Sequence, residues 1–359
     1  MKANHSLAQK RQKGVFVLGT LKEVAQHAGV SISTVSRVVN NDTSRSVSPD
    51  TRQRIWEAVT AVGYQPNRTG KEPGKRGPSK HQAGVRTGCI VAVNQNKYNH
   101  PYFSPILEGI ERGIQEHGGS LAFIHTSEDI KTPEMLHKIV QESGIEGMII
   151  LESIDSASYD YIKRHVPYIV GIDISDPSVS RVGYDRLMAA KHAVNHLISR
   201  GHRQIGFIGG SGRSQNIMKE KRFRGYKEAM DEAGLNIRKE WILDTEWNVD
   251  KSYNLLKERI LDKPSEIPTA FFAASDMMAI SAMRAAFEHR LRIPQDVAFV
   301  SIDNIEFAQY SSPPLSTIHI PKFEIGWVAA KTLVDTVRNP YPLPVKITLP
   351  FELIIRQTS

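Results

Sequence analysis

Within six positions the chain sets Ile32, Ser33, Thr34, Ser36 and Arg37, four short or apolar side chains and a single guanidinium. On one helix face they suit the major groove of duplex DNA: small residues permit close approach, and Arg can donate two hydrogen bonds to guanine O6 and N7. A second, dispersed group comprises Asn94, Gln95, His125, Glu152, Asp173, Ser275, Asp276, Asp303 and Asn304, polar residues at the ends of apolar runs, with Arg222 and Trp247. Carboxylates, amides, a guanidinium and an indole are the parts of a sugar or nucleoside site. Ring hydroxyls require paired donors and acceptors, and the apolar ring face requires a flat partner.

Enzymatic chemistry finds weaker material. The glycines of 206–212 follow an apolar run, but Gln215 stands where G-x-G-x-x-G ends in Gly or Ala, and no acidic residue closes the next run. His192 and His196 are spaced i, i+4 without the intervening Glu or third ligand of a metal site, so a solvated polar face is expected. Cys89 sits in an apolar run, and no Ser/His/Asp set carries a nucleophile elbow. The expectation is a protein that is not an enzyme and needs no metal or cofactor.

Helices must position the first group. Thr20 precedes Leu21, Val24, Ala25 and Ala28, the i, i+3, i+4, i+7 spacing of one helix face, and Glu23 completes a capping box with it. Gly29 ends that helix; Ser31 can cap the next, whose Val35, Val38 and Val39 pack back on the first. Ser48-Pro49 opens a third, striped by Ile55, Ala58, Val59 and Val62 and ended by Gly63. Three short helices with these stops form a helix-turn-helix domain.

The second group needs strands. Apolar runs at 89–93, 121–124, 148–151, 168–172, 205–208, 270–274 and 297–302 alternate with amphipathic segments at 106–116, 189–198, 225–233 and 277–289. Buried parallel strands alternating with helices make an open doubly wound α/β sheet, and the length suggests two. Ligands of such sheets sit beyond the carboxyl ends of the strands, where the acidic and amide residues fall. Arg222 and Trp247 supply the guanidinium and the flat face.

Charge divides the chain at the same place. Residues 1–87 hold fifteen Lys or Arg against five Asp or Glu, a net of +10, while the remainder holds 31 against 33, a net of −2. A basic segment on a near-neutral body is the footprint of a nucleic-acid reader joined to a sensor. No stretch approaches the roughly 18 unbroken apolar residues of a membrane span, and the run at 15–18 is shorter than the roughly 7–15 residues of a secretory core. One cysteine excludes an internal disulfide. A cytoplasmic protein without membrane contact is expected. Its parts are a basic extension (1–19), a helix-turn-helix domain (20–67), a basic Gly/Pro linker (68–88) and a two-lobed body (89–359).

Thr20-Leu21-Lys22-Glu23-Val24-Ala25, Ala28-Gly29-Val30-Ser31, Thr34-Val35-Ser36-Arg37-Val38-Val39-Asn40 and Gly63-Tyr64-Gln65-Pro66-Asn67 resemble the headpiece of the lactose-repressor (LacI/GalR) family. Gly201-His202-Arg203-Gln204, Arg222-Phe223-Arg224-Gly225-Tyr226, Ala274-Ser275-Asp276-Met277-Met278-Ala279 and Pro313-Pro314-Leu315-Ser316-Thr317 resemble its effector domain. The resemblance implies an all-α helix-turn-helix headpiece on a periplasmic-binding-protein-like, two-lobed, doubly wound parallel α/β body. It implies a homodimeric repressor of carbohydrate-utilisation genes that binds double-stranded operator DNA under control of a small sugar-like effector. Ile32, Ser33 and Arg37 would face bases; Thr20, Ser31, Thr34, Asn40 and Ser48 would contact phosphates. Asp173, Arg222, Trp247, Ser275, Asp276 and Asp303 would contact the effector. Crossings between lobes would fall near 181–184, 318–322 and 339–344. The linker departs from the family pattern: Pro73, flanked by Gly70 and Gly74, stands where the hinge helix carries its minor-groove leucine, so no such wedge is expected. The rival readings are a sugar-binding protein or a sugar-modifying enzyme with a basic appendage; sugar turnover would favour the enzyme, and operator preference favours the regulator.

Overall fold

The computed structural model describes residues 20–39, 46–64, 84–93, 99–212 and 215–359. The N-terminal extension, Asn40, residues 65–67 of the expected headpiece, residues 68–83 of the linker, Pro73 included, Asn94 and Gln95 lie outside them.

The headpiece is α1 (Leu21–Ala28), α2 (Ile32–Val39) and α3 (Pro49–Val62). Its stops are those the side chains dictate. Thr20 Oγ1 accepts from the Glu23 amide at 3.3 Å while Glu23 Oε2 accepts from the Thr20 amide at 2.9 Å, so two otherwise orphaned donors are satisfied. Ser48 caps α3 ahead of Pro49. Gly29 and Gly63 end α1 and α3 in the left-handed region, at φ 66° and 67°, where a Cβ is penalised. Val24, Ala28, Val35, Val38, Ile55 and Val59 form the core.

The body begins with β1 (Val85–Val91), α4 (Phe103–Glu116), β2 (Gly119–Thr126), α5 (Pro133–Glu142), β3 (Gly147–Leu151), α6 (Ser156–His165), β4 (Tyr168–Ile172) and β5 (Ser180–Tyr184). It continues through α7 (Arg186–Ser199), β6 (Ile205–Gly209), α8 (Lys221–Glu232), β7 (Ile242–Asp244), α9 (Val249–Asp262), β8 (Ala270–Ala273), α10 (Asp276–Glu288) and β9 (Ala298–Asp303). It closes with α11 (Glu306–Tyr310), β10 (Ser316–His319), α12 (Lys322–Arg338), β11 (Lys346–Leu349) and β12 (Glu352–Ile354).

Two six-stranded sheets result, ordered β2-β1-β3-β4-β5-β11 and β7-β6-β8-β9-β10-β12. In the second, β12 runs antiparallel to β10 and the other recorded pairs are parallel. The strand order reverses between β1 and β3, and between β6 and β8, which makes the β6/β8 point the crevice of the second sheet. Strands β3, β6, β8 and β9 are buried throughout, as sheets covered on both faces require.

One expectation changes. The first strand starts at Val85 rather than 89, so the end of the expected linker is sheet: Val85 and Thr87 are buried on either side of exposed Arg86, paired with Gly119 and Leu121. The chain last passes from one compact unit to the other between Pro340 and Tyr341, within the expected 339–344 crossing, while β11 still pairs with β5 at the edge of the first sheet and the step to the second sheet falls at 350–351. Elsewhere, α4 and α12 cross with almost no gap. A Cβ on Gly109 would overlap the Phe323 carbonyl, and one on Gly326 the Ile106 carbonyl.

Candidate functional site

On the headpiece, α2 presents Ser31, Ile32 and Ser33 to solvent, with Ile32 at 48% exposure despite being apolar. Ser31 serves as the expected cap: its carbonyl and Oγ accept from the Thr34 amide at 3.0 and 3.2 Å. Its hydroxyl also lies 2.9 Å from Ser33 Oγ and 2.8 Å from Thr34 Oγ1, a small hydroxyl cluster at the start of α2. Arg37 stands one turn on from Ser33 and is half-buried. Thr20 and Ser48 mark the starts of α1 and α3, where amide N–H groups and helix dipoles favour phosphate oxygens.

Of the other group, Arg222, Trp247, Ser275 and Asp276 follow strands β6, β7 and β8 of the second sheet, Asp303 ends β9, and Asp173 follows β4 of the first. Arg222, in the first turn of α8, is buried. Glu220 caps that helix, accepting from the Phe223 amide at 2.8 Å with Oε2, while its Oε1 takes Arg222 Nη1 at 3.1 Å. Arg222 Nη2 donates to the Tyr184 hydroxyl at 3.2 Å, and the guanidinium carbon lies 5.0 Å from the centroid of Trp247. Trp247 follows β7 in a left-handed turn, φ 62°, and covers Gly210 so closely that a Cβ there would overlap its backbone amide. Burial pushes the Tyr184 phenol up to about 12, so it stays neutral and can pass a hydrogen bond onward. Ser275 follows β8, half-buried, and caps α10.

The carboxylates part company. Asp173 is held by Arg186 at 2.8 Å. Asp303 ends β9 in a left-handed conformation, buried, and burial followed by the neighbouring Asp276 raises its carboxyl far above the usual range. Asp276 does not face open space. Fully buried, it accepts from Ser301 Oγ at 2.6 Å, Thr317 Oγ1 at 2.5 Å and the Ile305 amide at 2.7 Å. It fastens β9, β10 and the start of α11.

Four residues that the sequence patterns do not single out complete the arrangement: Tyr184, Arg186, Glu220 and Lys322. Glu220 had a visible signal, an acid in capping position two residues before Arg222. Lys322 had another, a lysine inside an apolar stretch. It is buried and donates to the carbonyls of Asp303, Asn304 and Ile320, holding the chain beyond β9. His196, expected on a solvated face, is buried with Nε2 2.9 Å from Ser359 Oγ, while His192 meets the Phe351 ring edge-on. Among the described residues no cluster of three His, Cys, Asp or Glu is placed to hold a metal, and no helix is long and apolar enough to cross a membrane.

A three-helix DNA-reading module followed by two doubly wound sheets defines a DNA-binding transcriptional regulator. Residues 20–67 match the model of bacterial regulatory proteins of the lacI family, and residues 194–359 match that of the periplasmic binding protein-like domain. The HTH-type transcriptional repressor MelR of Bacillus subtilis is 31% identical over 350 residues, 94% of this chain and 96% of MelR. The HTH-type transcriptional repressor PurR of Photorhabdus laumondii is 30% identical over 333 residues, 90% and 91% of the two chains. A solved complex of the transcriptional regulator CelR with cellobiose superposes with a TM-score of 0.69 at 25% identity, covering 95% of this chain and 99% of that one. The chain belongs to the lacI family of bacterial regulatory proteins.

Proposed function

We propose that this regulator is a repressor of carbohydrate-utilisation genes that acts in the cytoplasm as a homodimer on a two-fold symmetric operator, under control of a small sugar-like effector. The observation that carries the effector reading is Arg222, braced by Glu220 and Tyr184 beneath the face of Trp247. A fixed donor fork beside an indole fits ring hydroxyls and an apolar ring face together. Asp303 and Ser275 stand with them as contacts, and Asp173 through its Arg186 partner. Asp276 is left out as a direct contact, since it is fully buried and already accepts three hydrogen bonds. Two relatives point the same way: a ribose operon repressor of Haemophilus influenzae and a regulator solved with cellobiose.

For DNA, Ile32, Ser33 and Arg37 read base edges, while Thr20, Ser31, Thr34, Asn40 and Ser48 take phosphates. One headpiece reads too few base pairs for useful discrimination, and paired half-sites multiply it. Phe287, Phe307 and Tyr310, at 73%, 59% and 72% exposure, give the second-sheet unit apolar surface for a partner copy. The effector biases two states of the body that hold operator with different affinity. The test is a thermal-shift screen of mono- and disaccharides and their phosphates, followed by duplex titration with each hit; a ligand of the native state raises Tm by mass action. A preference for palindromic over random duplex that a sugar hit alters is expected. No palindromic preference with or without sugars defeats the proposal, and turnover of a sugar would replace it with an enzyme.

A further inference from the structure

One stripe of α3 turns away from α1 and α2. Arg52, Trp56 and Thr60 fall at i, i+4 and i+8, and each meets α5 or α6. Trp56 edges the headpiece core, is 5% exposed, and lies with its ring centroid 4.5 Å from that of His137 on α5. Arg52 Nη1 is 3.6 Å from Glu134 Oε1 in the first turn of α5. Arg164 Nη1 of α6 donates to the Thr60 carbonyl at 2.9 Å. His137 is backed in turn: its Nδ1 is 2.7 Å from the Tyr161 hydroxyl, and Tyr161 stacks on His165 at 4.0 Å. An indole meets an aromatic ring here, with a charged pair on one flank and a guanidinium on the other.

The geometry points to a docking surface, made by Glu134, His137 and Arg164, that seats the α3 face of the chain's own headpiece and orients its DNA-reading helix. The inference rests on the reading role proposed above. Ser31, Ile32 and Ser33 remain exposed in the docked headpiece, so the contact leaves the reading face open. It also connects reader and body outside the 68–88 linker, where Pro73, Gly70 and Gly74 disfavour a hinge helix. A reader already held in one orientation forfeits less freedom on meeting DNA. The Trp56 indole N–H is buried without a hydrogen-bond acceptor among the described residues, a desolvation cost that weakens the contact.

The full chain labelled with 5-fluorotryptophan tests this, giving one ¹⁹F resonance for each of its four tryptophans, with Trp56 assigned through Trp56→Phe. His137→Ala and Glu134→Lys, both on the body side, should move the Trp56 resonance and leave the other three in place. Adding Arg52→Glu to Glu134→Lys should return it toward its original position. Both body-side variants should also weaken binding to a palindromic duplex selected by the wild-type chain about three- to tenfold. A Trp56 resonance unmoved in both variants overturns the docking. Unchanged or tighter duplex binding overturns its orienting role. If the wild-type chain selects no duplex, the reader assignment fails instead, and the ¹⁹F comparison still decides the docking.

Discussion

Arg222 is engaged before any ligand arrives, by Glu220, Tyr184 and the face of Trp247, so its geometry is preset and its truncation removes a prepared donor. Arg222→Ala should abolish the effector's influence on operator binding while leaving operator affinity in its absence unchanged, as read by duplex titration with and without the sugar hit. Arg37→Ala should cost about 1–3 kcal/mol of discrimination between operator and variant duplexes and leave effector affinity intact. Parallel loss of both would mark Arg37 as a folding residue. His137 adds a pH dependence. Burial, then the neighbouring His165, pulls it from its ordinary 6.5 to about 4, so the folded state favours the neutral ring. That contribution is complete above pH 6.5 and is lost as pH falls toward 4, by up to roughly 3 kcal/mol at this single group. Denaturant melts of wild type and His137→Gln between pH 7 and 4 should converge as the pH drops.

Elements with both a period and a stop are legible in the chain itself. Helices α1 and α3 of the headpiece carry N-caps and terminal glycines, α2 carries the Ser31 cap, and they begin close to where those residues predict. The long central strands show as unbroken apolar runs. Strands β7, β11 and β12 do not, being three or four residues long and half-exposed at sheet edges, too short for a pattern to rise above the surrounding loop. The α4/α12 crossing belongs to this scale as well. Gly326→Ala should be destabilising by about 1–3 kcal/mol, since the added methyl meets a backbone carbonyl that cannot turn aside. The shift of the denaturation midpoint measures it, and a neutral result would mean the helices can separate freely.

At the scale of the whole molecule, the division of charge predicts how binding responds to salt. The basic excess lies within residues 1–87, so duplex affinity should fall steeply and linearly in log–log form as salt rises, while sugar affinity stays nearly flat. Phe307→Glu together with Tyr310→Glu should shift the sedimenting species toward monomer and weaken binding to a full palindrome far more than to a single half-site. Persistence of the dimer in that variant would place the partner surface elsewhere.

Composition and spacing alone determined that this chain carries a helix-turn-helix headpiece and a doubly wound body, because caps, turn glycines and buried strands leave local, periodic traces. They also brought forward Arg222, Trp247 and Asp303, whose residue types announce a polar ligand. Only the tertiary structure decided how the carboxylates are engaged. Asp276 and Asp303 lie 27 positions apart on near-equivalent strand ends, yet Ser301, Thr317 and the Ile305 amide consume the first. Their convergence depends on contacts between strands and helices distant in sequence. The same holds for Glu220 under Arg222 and for Trp56 on His137: hydrogen bonds and ring contacts between separate elements leave no periodic signature, so they exist only once the chain has folded.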